Sequence, residues 1–216
     1  MRNLINLMTI LQASHHYTRL TSAAKADLSW WRFGLTMFHG TAPFNSDIAL
    51  PSFQFATDAC LIGGGAMFEG DWFYVSWLMD FPSLGEKNIN VLELKTVHVA
   101  AEKWGPKWAG KHILVRSDNS ATVASLNKGT SRSVDMLEII QQIFWLSVRY
   151  GFKLSAVHLP GHLNILSDRI SRMHVPAAAI EAKSLLTCDR EMESVGHMSY
   201  QTFVWLQGWW ETNCQP

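Results

Sequence analysis

The sequence has little cysteine. Its three cysteines, Cys60, Cys188 and Cys214, are too few and too scattered for a disulfide framework, and no Cys-x-x-Cys pair offers thiolates to a metal. That usage fits an intracellular protein. Long apolar runs are missing as well, so nothing reads as a membrane span. Leu4, Leu7 and Leu11 share a helical face after a lone Arg2, but Asn3 and Asn6 interrupt the run and no cleavage site follows. The segment reads as a partner-packing helix rather than a secretory signal. Excess charge of either sign is absent too, because 18 Lys and Arg balance 18 Asp and Glu. Phosphate affinity comes mainly from Lys and Arg, so such a chain must concentrate its cations to hold a polyanion. The stretch 103–133 does so, with Lys103, Lys107, Lys111, Arg116, Lys128 and Arg132 against Asp118 alone. The plainer reading of that stretch is a solvated helix face.

Apolar residues, by contrast, make up 48% of 216 positions and include ten Trp, enough for one good core into which most of the Trp should go. Neither an internal repeat nor a low-complexity tract is present. Residues 1–50 read as helical, with a stripe of Leu28, Trp31, Leu35 and Phe38 in a helix capped near Thr21 or Ser22, and a linker from Gly40 to Pro51. Residues 51–175 read as hairpin strands at 53–68 and 72–78, a helix opening at Asn90, a strand running into Asp118, helices at 120–127 and 134–150, a strand at 152–158 and a short helix holding Asp168. That succession predicts an α/β fold, a mixed sheet flanked by helices. Residues 176–216 form a helical extension, with one helix over 177–186 and a Trp-rich one around Tyr200–Trp210.

Four carboxylates fall where these elements begin or end. Asp58 lies in the strand Phe53–Cys60, and an acid at the centre of a buried strand is costly unless something pairs with it. Asp118 stands where the apolar strand His112–Ser117 meets a polar turn. Glu93 borders the helical stripe Leu94, Val97, Ala101, Trp104 and Trp108; with Asn90 it also has the spacing of a capping box. Asp168 is either a site residue or a surface acid paired with Arg172 four positions on.

The words TDAC, NVLELKTV, LVRSDNSATVASLN and AVHLPGHLNILSDRISR, in this order over residues 53–173, resemble the ribonuclease H domain of reverse-transcribing elements, most closely that of DIRS-like retrotransposons. HHYTRLTSAAKADLSWWRFGLTMFHG at 15–40 is similar to the connection segment that joins polymerase to nuclease in those elements. In the family the sequence continues beyond a segment like FVWLQGWWETNCQP, so the resemblance presents this chain as a fragment of a larger element protein.

The resemblance implies a ribonuclease H-like fold in which Asp58, Glu93, Asp118 and Asp168 hold two Mg²⁺ or Mn²⁺ ions, and carboxylates suit such hard cations. It implies cleavage of the RNA strand of an RNA:DNA hybrid, with a 5′-phosphate and a 3′-hydroxyl as products. It makes His158, ten positions before Asp168, the mobile histidine of the site, although a histidine there is as readily a satisfied core residue. Pro160-Gly161 between His158 and His162 argues against zinc. Candidate contacts to nucleic acid are Asn119, Ser120, Asn127, Lys128, Arg132 and Asn164; the expected partners are the hybrid and the remainder of the polyprotein. Cys60 stands where a proofreading exonuclease would carry a second acid, and Asp168 where an integrase core would carry glutamate. The other reading is a catalytically inactive element fragment that serves as an interaction module.

Overall fold

In the computed structural model, which describes residues 2–11, 13, 15–37, 51, 53–84 and 87–188, the chain divides into two compact units between Pro43 and Phe44. Phe38, residues 40–50 of the expected linker and the Trp-rich helix around Tyr200–Trp210 lie outside the described residues. Among the described residues no helix is long and apolar enough to cross a membrane.

The first unit holds α1 (Arg2–Ile10) and α2 (Ser22–Met37). Thr21 Oγ1 accepts the Ala24 N–H, capping α2 where the sequence suggests. From α2, Asp27 accepts the free N–H groups of Asn3 and Leu4 at 2.9 and 3.1 Å and so closes the first turn of α1. Burial resists ionisation of Asp27, yet the interactions of its charged form, led by the hydrogen bond from the Leu4 amide, outweigh it and hold the carboxyl below its usual range. The expected apolar stripe is not the buried one. Leu28 and Leu35 are exposed, while Ala24, Asp27 and Gly34 are buried, because this helix buries small residues and a capping carboxylate.

The second unit is α/β, a five-stranded sheet in the order β3-β2-β1-β4-β5. β1 (Phe53–Ala59), β2 (Gly63–Phe68) and β3 (Asp71–Ser76) form an antiparallel meander, and β4 (His112–Ser117) and β5 (Lys153–His158) add in parallel beyond β1. This mixed sheet flanked by helices is the α/β arrangement expected from the sequence. The stretch read as one strand over 53–68 breaks at residues 60–62, where the Cys60 N–H donates to Gly63 O at 2.8 Å.

The helices are α3 (Trp77–Asp80), α4 (Ile89–Trp104), α5 (Ser120–Lys128), α6 (Val134–Tyr150), α7 (Ile165–Ser171) and α8 (Pro176–Cys188). Strand alternation divides them between two faces: Phe73 and Val75 join the core with α4 and α6, and Tyr74 joins the core with α7 and α8. Leu94, Val97, Ala101, Trp104 and Trp108, the expected stripe, are all fully buried. Trp104 and Trp108 contact Phe55 and Phe68 with ring centroids 5.2–5.8 Å apart, an aromatic cluster worth about 0.5–1.5 kcal/mol per pair beyond its buried area. On the second face Ala179, Ala182 and Leu186 of α8 pack with Ile170 and Met173, so residues 176–188 belong to this unit's core.

The basic stretch does not stay together. Lys103 and Lys107 pair with the buried Asp71 at 3.1 and 3.7 Å, and Lys111 lies over the Phe53 ring. All three sit where β1 and β4 begin, the length of a six-residue strand, about 20 Å, from where those strands end. A single basic patch covering 103–133 is thereby ruled out, because β4 carries the chain across the sheet in the middle of it.

Candidate functional site

Parallel pairing brings the first two acids together. Ala56 of β1 stands beside Arg116 of β4, so Asp58 and Asp118, each two residues further on, reach the same level at the carboxyl ends of adjacent strands. Glu93 arrives from the second turn of α4. The expected capping box is overturned: Asn88 is the cap and accepts the Asn90 N–H at 2.9 Å, while Asn90 accepts from the Asn119 side chain. Glu93 instead points into the sheet, 3% exposed, with the Ala59 N–H donating to its Oε1 at 3.2 Å. Ligand oxygens of Asp58, Glu93 and Asp118 then all lie within 4.8 Å of one another.

Among the described residues no lysine or arginine forms an ion pair with any of these three, and Glu93 Oε2 is buried without a hydrogen-bond partner. The electrostatic cost shows in the proton affinities of Glu93 and Asp58. Burial, then the charges of Asp58 and Asp118, push the Glu93 carboxyl up to about 9, with the Ala59 amide and the Ser117 hydroxyl offsetting only part of this. Burial pushes Asp58 up to about 6; the Ser171 hydroxyl and Arg172 draw it down, and Asp118 and Asp168 raise it. A cluster of mutually repelling acids is a place for cations.

Asp168 stands apart from this trio. Its Oδ2 accepts from Arg169 and its Oδ1 from Arg172, both at 2.8 Å, the surface pairing that its spacing to Arg172 suggested. Arg169 is itself held by Glu181 of α8. The charge of Asp168 still bears on Asp58, which places it at the margin of the site.

His158, the last residue of β5, is exposed, with its Nε2 3.1 Å from Asp118 O. A second histidine of the same loop, His162, is also exposed. It follows Gly161, whose backbone lies so near Asp118 that a Cβ there would sit 3.0 Å from Oδ2.

Of the residues proposed to touch nucleic acid, Ser120, Asn127, Lys128 and Arg132 are exposed. The three asparagines each have partners within the fold. Asn119 caps α5 through the Thr122 N–H and donates to Asn90, joining α5 to α4. Asn127 clamps the outer side of β5, accepting from Ala156 N and donating to Ala156 O, both at 2.8 Å. Asn164 is 2% exposed and donates to Thr57 O, tying the approach to α7 onto β1. Asn127→Ala should therefore lower stability by about 1–3 kcal/mol in urea unfolding, through two lost hydrogen bonds. An unchanged midpoint would show the clamp to be idle.

One contributor escaped the reading of the sequence. Ser171, fully buried on α7, donates to Asp58 Oδ2 at 2.5 Å. Its only signal was helical spacing, three residues after Asp168.

No protein-family model matches the chain, and no curated protein does. Solved structures similar to it include the N-terminal RNase H domain of rv2228c from Mycobacterium tuberculosis, at 15% identity and TM-score 0.41, covering 61% of this chain and 99% of that one. LC11-RNase H1 in complex with an RNA/DNA hybrid matches at 19% identity and TM-score 0.41, over 55% of this chain and 93% of that one. A foamy viral protease-reverse transcriptase, also with an RNA/DNA hybrid, matches at 15% and 0.40, over 62% of this chain and 22% of that one. What the site can do is set by its own three converging carboxylates.

Proposed function

We propose that the chain is a divalent-cation-dependent endonuclease that hydrolyses the RNA strand of RNA:DNA hybrids, as the ribonuclease H portion of a retroelement reverse transcriptase acting inside the cell. The observation that carries the reading is the convergence of Asp58, Glu93 and Asp118 from two strand ends and a helix, with the buried Oε2 of Glu93 unpartnered. An all-oxygen donor set without cysteine suits Mg²⁺ or Mn²⁺. When bound, two such ions supply charge neutralisation at the scissile phosphate, activation of water and stabilisation of the leaving oxygen.

The residues of the chain divide the remaining work. Asp58, Glu93 and Asp118 hold the cations, and Asp168 joins them on leaving its arginine partners. His158, exposed beside the Asp118 backbone, carries a proton to the leaving oxygen or to solvent. Ser120, Lys128 and Arg132 offer exposed donors and cations to the duplex, and recognition rests on hybrid shape and 2′-hydroxyls rather than on base sequence.

A second reading is favoured by Asp168, whose two oxygens are both engaged by arginines: a non-catalytic module that keeps the fold. One experiment separates the two. The purified chain and Asp118→Asn are incubated with an end-labelled hybrid, with and without Mg²⁺ or Mn²⁺. The expected result is metal-dependent cutting of the RNA strand that the variant lacks, leaving 5′-phosphate ends. A folded protein inert with both metals would favour the module.

A further inference from the structure

We infer that Ser171 is a positioning residue for cation binding: its hydroxyl occupies Oδ2 of Asp58 and thereby fixes which carboxylate oxygen remains for a metal. The inference rests on the divalent-site reading above and deepens it. The Ser171 hydroxyl is the one hydrogen-bond donor to Asp58 among the described residues, and it reaches the carboxylate at 2.5 Å from a fully buried position. The same oxygen lies 2.9 Å from Asp168 O, the carbonyl one turn back, so the hydroxyl has two acceptors and one hydrogen, and its rotamer is set by both.

The placement of Ser171 is fixed independently of that hydrogen bond. Asp58 pairs across the β1–β2 ladder with Gly65, and the bare backbone of Gly65 lets α7 come so close that a Cβ there would lie 2.8 Å from Ser171 N. Cys60, two residues after Asp58, donates through Sγ to Ser171 O at 3.3 Å. Residues 58 and 60 therefore both grip residue 171, from a separation of more than a hundred positions.

The chemistry of the group matters as much as its place. A lysine or arginine at this point would pair with Asp58 and compete with an incoming cation. A hydroxyl orients the carboxylate while leaving its charge in place, as groups behind a metal's direct ligands commonly do. Without it, Asp58 Oδ2 is buried with no partner and the carboxylate is free to turn.

The test compares Ser171→Thr with Ser171→Val, two side chains of nearly the same shape that differ in the hydroxyl. Mn²⁺ binding to the full chain is measured by titration calorimetry without nucleic acid, and unfolding is followed in EDTA. The valine variant should bind Mn²⁺ about 10–100-fold more weakly than wild type, with the threonine variant recovering most of the affinity. Equal affinity in the two variants would overturn the inference. Should both fail to fold, Ser171→Ala, which cannot overpack, replaces them, and affinity equal to wild type would overturn it in the same way. A wild-type chain that takes up no Mn²⁺ defeats the metal reading itself, and the inference with it.

Discussion

Glu93→Gln should make the metal-free protein more stable while removing cation binding and cleavage. In the folded chain burial and two neighbouring acids raise the Glu93 carboxyl to about 9, against an ordinary value of 4.5. Between those values the unfolded chain has released the proton and the folded chain still holds it, so stability falls as pH rises through the window and the deficit is complete above pH 9. Asp58, raised to about 6, acts in the same direction only below that pH, and His98, lowered to about 3 by burial and Lys95, acts in the opposite direction only below 6.5. The interval from pH 7 to 9 therefore reports Glu93. Wild type in EDTA should lose on the order of 2 kcal/mol across it, and the glutamine variant should not. At pH 7 the variant should be the more stable by on the order of 3 kcal/mol, since its amide is neutral, keeps the Ala59 hydrogen bond and faces two acids it can donate to. Millimolar Mg²⁺ should narrow the gap, stabilising only the protein that binds it. Urea unfolding at pH 7 and 9, with and without Mg²⁺, reads all of this. A variant less stable in EDTA, with the wild-type pH slope intact, would make Glu93 a structural acid.

Gly65→Ala should cost both the fold and the site. The added Cβ would lie 2.4 Å from the Ile170 side chain, 2.8 Å from Ser171 N and 2.9 Å from the Ile170 carbonyl carbon. The side-chain tip can move, but the two backbone atoms move only if α7 lifts from β2. Overpacking of this kind costs about 1–3 kcal/mol or more, and here it also withdraws Ser171 from Asp58. Calorimetry should show lost stability together with weakened Mn²⁺ binding. Gly110→Ala is the control: its φ of +71° makes alanine strained, but its added Cβ meets open space far from the acids. It should cost about 1 kcal/mol and leave metal binding alone. Equal behaviour of the two variants would show that close approach at Gly65 is unimportant.

Periodicity and charge made much of this legible in the sequence. α6 spans the expected 134–150, the stripe from Leu94 to Trp108 is buried as its spacing indicated, and three of the four singled-out carboxylates meet. Side chains with more than one use were harder to read. Asn88 and Asn90 are equally good caps on paper, and the choice is made by Asn119, twenty-nine positions beyond Asn90, which engages the second of them. Asn119, Asn127 and Asn164 look alike whether an amide meets solvent, a helix end or a strand edge. The lysines before β4 and the basic residues after it are neighbours in sequence and strangers in space. Ser171 was hidden because its partner lies 113 positions away, a separation that no local pattern encodes.

The clamp of Asn127 on Ala156 bears on how copies of this chain meet. β5 is an outer strand of the sheet, and the outward N–H and C=O of Ala156 are the groups with which an extended segment from another molecule would begin to pair. The asparagine already satisfies both, in the manner of a neighbouring strand one residue long. Growth of the sheet into a neighbour at this point must first prise that amide away, so the asparagine guards the edge from the side while the exposed Lys153, at the start of the strand, adds a charge to it.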